Sequence, residues 1–215
     1  MSTTRITRCI GAAALVGAAL ASASCGEVAR TGQSPSFLII ASLEGASGAE
    51  PDTFGTVLSS DAQTLVEVSV GGQQLRVPTI FADSGRVVFR LGLKNPGLPT
   101  DSFGPSTLNA ITVNRYRVTY RRADGRNTPG VDVPYAFDGA ITVTVTGEGT
   151  TSAGFELVRI QAKQESPVIN LVNNGGAQVI STIAEVVFWG RDQAGNEVMA
   201  VGSISVNFAD WGDPD

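Results

Sequence analysis

Histidine is absent from all 215 residues of the chain. That one gap closes off Ser-His-Asp and Cys-His nucleophilic catalysis, His-ligated zinc and imidazole-based pH switching. Cysteine is nearly as scarce: only Cys9 and Cys25 are present. Cys9 falls in an N-terminal leader, so the processed chain keeps a single thiol and no internal disulfide. No stretch beyond the leader sustains an apolar period of about 3.6 residues for three turns, which argues against long amphipathic helices. Positive charge is also short, with 15 Lys and Arg against 20 Asp and Glu, a net of −5. Residues 1–24 carry Arg5 and Arg8 and no acid, so without them the balance is 13 against 20, or −7. That excess of acid argues against general nucleic-acid binding, which draws most of its affinity from neutralising phosphates.

What the chain does have is 42% hydrophobic residues, 25 Gly and 10 Pro. The first is enough for a packed core. The others, with Thr, Val and Ile in short alternating runs, favour strands joined by tight turns. Residues 37–43 (FLIIASL) are predicted as a buried first strand. Residues 56–60 form a weaker candidate strand, and 62–70 a short helix or a strand ending at Gly71-Gly72. Residues 75–81 are predicted to be extended around Pro78, hence near an edge. Residues 86–94 alternate most cleanly, with Val87, Phe89, Leu91 and Leu93 on one side. Residues 95–105, crowded with Pro and Gly, read as loop. In the strand at 111–122, Tyr116, Val118 and Tyr120 face opposite to Arg115, Arg117, Thr119 and Arg121. In that at 140–146, Ile141, Val143 and Val145 oppose a threonine face suited to cross-strand hydroxyl pairing. A further strand is expected over 155–163.

The strongest hairpin signal is last. Over residues 184–208, two alternating runs flank the polar turn Asp192-Gln193-Ala194-Gly195-Asn196. Gly202 interrupts the second run, which predicts a bulge or a close backbone approach. The order aromatic-Gly-x-Asp-x-Ala-Gly-Asn-x-Val, carried by Trp189 to Val198, resembles the final hairpin of bacterial immunoglobulin-like and fibronectin-type modules. The resemblance implies an immunoglobulin-like antiparallel β-sandwich; composition and the run of alternating segments make the chain all-β, a single domain of about nine strands over residues 37–209, with 210–215 as an acidic tail. It implies architecture and no activity, and the chain lacks the Cys pair and early-strand Trp of antibody domains.

Residues 1–24 have a basic start, a mostly apolar run from Cys9 to Ala21 and then small residues, the pattern of a secretory signal peptide too short to span a bilayer. Ser22-Ala23-Ser24-Cys25-Gly26 resembles the lipobox of bacterial lipoproteins, with Ser22 where that family usually has Leu. The resemblance implies acylation of Cys25, a membrane anchor through the N-terminal lipid and, from Gly26, the outer membrane or cell surface. Ala21-Ser22-Ala23 also fits an ordinary signal peptidase site, which would release a soluble periplasmic protein. Residues 25–36 are polar and read as a tether.

Candidate chemistry is sparse. Arg115, Arg117, Arg121, Arg122 and Arg126 offer bidentate contacts to carboxylates, phosphates or anionic glycans. The same row fits a solvated strand face paired with neighbouring acids, the commoner role for such residues. Asp192, Asn196 and Glu197 offer oxygens to calcium, with Asp210, Asp213 and Asp215 as additional donors, although Asp and Asn that hydrogen-bond their own turn explain the pattern as well. Gly147-Glu148-Gly149 lacks the helix and Lys of a phosphate loop. No cofactor is expected. The reading that follows is a non-enzymatic cell-envelope binding or scaffold module whose partner is an envelope protein or glycan. The alternatives are a carbohydrate-active enzyme or carbohydrate-binding module using carboxylates and exposed aromatics, and a chaperone-like protein with an open edge strand.

Overall fold

The alternation over residues 111–122 and 184–208 is realised as the centre of a five-stranded sheet. The computed structural model describes residues 32–211 apart from 99, 103, 105 and 148; the leader, Cys25, Glu148 and the last acids, Asp213 and Asp215, lie outside the described residues. In chain order the strands are β1 (Ser36–Ala46), β2 (Val57–Asp61), β3 (Thr64–Val70), β4 (Gln73–Thr79), β5 (Asp83–Leu93) and β6 (Gly97–Leu98). There follow β7 (Asp101–Ser102), β8 (Ile111–Arg121), β9 (Phe137–Val145), β10 (Thr151–Val158), β11 (Ile180–Asp192) and β12 (Glu197–Ala209). A short helix, α1 (Ile160–Gln164), follows β10. One sheet has the order β1-β5-β10 and the other β2-β12-β11-β8-β9; β3-β4 and β6-β7 are separate ribbons. All pairings are antiparallel except β2 with β12. The protein is therefore all-β. No helix among the described residues is long and apolar enough to cross a membrane.

Both larger sheets turn apolar residues into one core, because each strand alternates a dry face with a wet one. Val87 and Phe89 of β5 and Phe155 and Leu157 of β10 are buried together with Tyr116, Val118 and Tyr120 of β8, Val186 and Phe188 of β11, and Val206 and Phe208 of β12. Phe188 stands at the centre. Its ring meets Phe89 at 5.1 Å and Phe155 at 5.4 Å, both at 90°, the edge-to-face geometry that the ring quadrupole favours. Tyr120 ties the sheets by donating its hydroxyl to the Leu157 carbonyl at 2.7 Å, and burial drives its pKa far above the ordinary phenol value. At Gly202 the pairing with β11 runs on without a bulge. A Cβ there would lie 3.0 Å from Ile40 Cδ1 and 3.2 Å from Leu43 Cδ2, so what comes close at this position is side-chain tips of β1, in place of the expected bulge or backbone approach.

Several local expectations change. The described residues hold twelve strands rather than about nine, partly because the stretch expected as loop over 95–105 contains the paired β6 and β7. The strand expected over 155–163 ends at Val158, where Leu157 and Val158 are both buried and the alternation fails. The chain then coils into α1, which turns Ala162 and Lys163 toward the interior. β1 is an edge strand with one wet face: Leu38 is buried, while Phe37 and Ile39 are exposed. The body also starts earlier than residue 37, since Ser34 and Ser36 are buried.

Two ends of this body matter for function. At the N-terminal end, Ser36 Oγ donates to the Asn109 carbonyl at 2.8 Å and Lys94 N–H to that of Pro35 at 2.9 Å. The turn between β11 and β12 is there too, since Asp192 pairs with Ile111 and Gln193 Nε2 donates to the Ala110 carbonyl at 3.4 Å. At the opposite end, Ala46 pairs with Ser84, β2 and β12 finish side by side at Asp61 and Ala209, and α1 caps the core. The ribbon β3-β4 is inserted between the end of β2 and the start of β5, so it leaves the body at this far end.

Candidate functional site

Three features qualify: the outer face of the five-stranded sheet, the turn at Asp192, and the far end with its ribbon.

The outer face carries the arginine row. Arg115, Arg117 and Arg121 point outward from β8 as their alternation requires. Arg117 lies 3.8 Å from Asp138 of β9 and Arg121 4.0 Å from Glu185 of β11. Arg122 and Arg126 leave this face and clasp Asp124 in the following turn at 2.7 and 2.9 Å. Their hydrogen bonds, chiefly from Arg122, hold the Asp124 carboxyl well below its usual range. The five arginines thus form two groups, each with local carboxylates. Arg115 alone pairs with no carboxylate among the described residues; its guanidinium lies 4.2 Å above the Trp189 ring, a cation–π contact. Together with Asn114, Gly190, Arg191 and Glu197, these two line an open hollow of about 280 Å³. Gly190 is required there, since a Cβ would sit 2.6 Å from the Thr112 carbonyl oxygen. The threonine face of β9 joins in as expected, with Thr112 and Thr144 hydroxyls 3.0 Å apart.

Asp192 and Asn196 do share a turn, but its geometry serves the turn itself. Asp192 Oδ1 accepts from the Ala194 and Asn196 N–H groups at 2.9 and 2.8 Å, and Oδ2 from Asn196 Nδ2 at 2.8 Å. Glu197 reaches instead to Arg191 at 3.2 Å. The three do not converge on a common point, and among the described residues no group of three or more Asp, Glu or Cys is placed to hold a metal. Asp210 is buried and accepts the Asn174 N–H at 3.2 Å. Burial pushes the Asp192 carboxyl upward, but hydrogen bonds from Asn196, Ser34 and Ala194 outweigh it and leave its pKa lowered. A lowered folded value stabilises the fold above the unfolded pKa of about 4, and that stabilisation is lost as pH falls through the folded value. Asp192→Asn is therefore expected to lower stability at neutral pH and to flatten the acid limb of a pH–stability profile below about pH 4; an unchanged acid limb would contradict this.

The far end holds a cluster that the sequence did not announce. Lys163 of α1, 1% exposed, donates from Nζ to Asp83 Oδ1 at 2.8 Å; Asp83 at the start of β5 is 0% exposed. Ser60 Oγ donates to Asp83 Oδ2 at 2.6 Å and the Gly48 N–H to Oδ1 at 2.9 Å. Three donors satisfy one carboxylate, which fixes α1, β2 and the loop after β1 to the top of β5. This is a structural staple, since Asp83 has no face open to a ligand.

No protein-family model, curated protein or solved structure matches the chain. Chemistry must therefore be read from the exposed surface itself, and there the ribbon stands out. Opposed pairs share a face, so Val66 with Val77 and Val68 with Leu75 form one apolar side, continued by Val70. The other side carries Glu67 opposite Arg76, 3.6 Å apart. Val68, Val70, Leu75 and Val77 are all exposed, Val70 by 57%. Gly71 and Gly72 both have positive φ and close the turn. The signal was present in the alternation of Val66, Val68 and Val70 before Gly-Gly, which predicts a half-buried strand; what it could not show is that neither sheet reaches it.

Proposed function

We propose that the protein is an exported lipoprotein, acylated at Cys25, whose immunoglobulin-like, mostly antiparallel β-sandwich is a non-enzymatic binding module of the cell envelope. The sandwich reading is supported by the single core shared between the three-stranded and five-stranded sheets. The binding reading rests on one observation: the β3-β4 ribbon, a sheet of two strands, exposes an apolar face at the end opposite the N-terminal segment. An anchor at Cys25 holds the N-terminal end toward the bilayer and presents the ribbon away from it.

The occupant is an extended apolar segment of an envelope protein, added alongside β3. A two-stranded hairpin is marginal alone and gains from a third strand, and strand addition supplies backbone hydrogen bonds while side-chain alternation gives selectivity. β3 is the receiving edge because β4 contains Pro78, which lacks the N–H a ladder needs. Two copies of the ribbon face alone would bury well under the ~1,200 Å² of a stable interface, which disfavours self-association there.

Photo-crosslinkers placed singly in living cells test this. A discrete protein adduct is expected from Glu67 and Val70 of β3, which an added strand flanks on both of its faces, and far less from Gln74 or Arg76 of β4, and it is expected to vanish in Val68→Asp. Equal adducts from β3 and β4, or none from Val70, would contradict the reading. Because Val68 is exposed, its substitution should change stability by no more than about 0.5 kcal/mol.

A further inference from the structure

The outer face of the five-stranded sheet has the anatomy of a protein interface. Across β11 and β12, Val187 lies opposite Val201 and Trp189 opposite Met199, so four apolar side chains meet mid-face; Met199 and Val201 remain 59% and 52% exposed. Around them stand Arg115, Arg117, Glu185 and Glu197, a polar rim about an apolar centre, and Trp, Met and Arg are the residues that interfaces favour. Five strands at ~4.8 Å spacing, from the five residues of β2 to the thirteen of β11 and β12 and averaging about ten, span roughly 800 Å², the share one partner contributes to a standard interface.

We propose that this face is the dimer interface of the protein and that its occupant is a second copy of the chain. Charge balance argues for self-association. Arg115, Arg117, Arg121 and Arg191 stand with Asp138, Glu185 and Glu197 on this face, leaving it nearly neutral on a processed chain of net −7. A copy approaching elsewhere meets like charge; here it does not. Face-to-face association of identical surfaces closes through a two-fold axis lying in the interface. An axis across the strands sets the arginine row of β8 against its own copy. An axis parallel to β11 avoids that repulsion and brings both Ser36 ends to one pole. That second arrangement lets both tethers enter one bilayer, a point that rests on acylation at Cys25; the face itself does not depend on it. Both ribbons then project from the other pole.

Sedimentation velocity on the processed chain carrying Cys25→Ser, exported behind an ordinary cleavable leader, separates the dimer from the anchor. A dimer is expected at tens of micromolar and above, and Val201→Glu, which places a carboxylate mid-face, is expected to abolish it with an unchanged circular dichroism spectrum. Val70→Glu on the ribbon is expected to leave it intact. Should Val201→Glu fail to fold, Val187→Cys on β11, the strand along which the axis runs, is expected in the same background to give an intermolecular disulfide on mild oxidation and Thr142→Cys at the rim to give far less. A monomeric parent, a dimer that survives Val201→Glu, or equal cross-linking at both positions would overturn the proposal.

Discussion

Lys163→Ala is expected to remove about 3–5 kcal/mol of stability, because it leaves Asp83 as an unpaired charge in the core. Both partners are essentially without solvent exposure, and 80 residues of chain separate them. For a body of this size the loss corresponds to a fall in melting temperature of roughly 6–20 °C. Asp83→Ala should cost at least as much, since it strips acceptors from the Ser60 hydroxyl and the Gly48 N–H as well as from Lys163. An apolar replacement of both ionic partners, Lys163→Met with Asp83→Leu, recovers part of the loss, as buried pairs commonly do. It does not recover all of it, because Ser60 and Gly48 keep their donors. Chemical denaturation of the single and double variants checks this; single variants within about 1 kcal/mol of the parent would show that the cluster is not the staple described.

Phe188→Ala should be comparably severe, at about 3–5 kcal/mol. Its ring is fully buried and contacts Phe89, Phe155 and Tyr116 from both sheets, so truncation opens a cavity where neighbours are held by the strands around them. The denaturation midpoint is expected to fall with the slope unchanged, the sign of lost stability without a changed unfolded state. Val201→Ala, on the outer side of the neighbouring strand β12, is expected to change stability by no more than about 0.5 kcal/mol when measured on the monomer, below the concentration at which copies associate. Equal effects at the two positions would contradict the assignment of inner and outer faces.

The faces of the strands were the most legible part of this chain. Tyr116, Val118 and Tyr120 point inward and Arg115, Arg117 and Arg121 outward because a strand with one dry side can satisfy its pattern in only one register. Pairing between distant strands was not legible, the parallel contact of β2 with β12 least of all, since it depends on which edge remains free after the hairpins close. The end of β10 carried a sign, two consecutive buried residues at Leu157 and Val158, that alternation alone would have read as noise. Lys163 carried none: a lone lysine in a local window belongs on the surface, and its partner is far off in sequence. The candidate sites followed the same rule. Local turns such as Asp192 to Asn196 were visible, whereas the stacking of Arg115 on Trp189 needed two strands to be brought side by side, and the exposure of the ribbon depended on where the sheets end.

Intact-mass analysis of the mature N-terminus, on protein extracted from the cells that export it, tests the account most directly. A chain beginning at Cys25 and carrying the mass of lipid acyl groups is the predicted result, and it fixes which end of the body meets the membrane and which presents the ribbon. A chain beginning at an unmodified Ser24 would contradict the anchor and with it the outward presentation of β3 and β4.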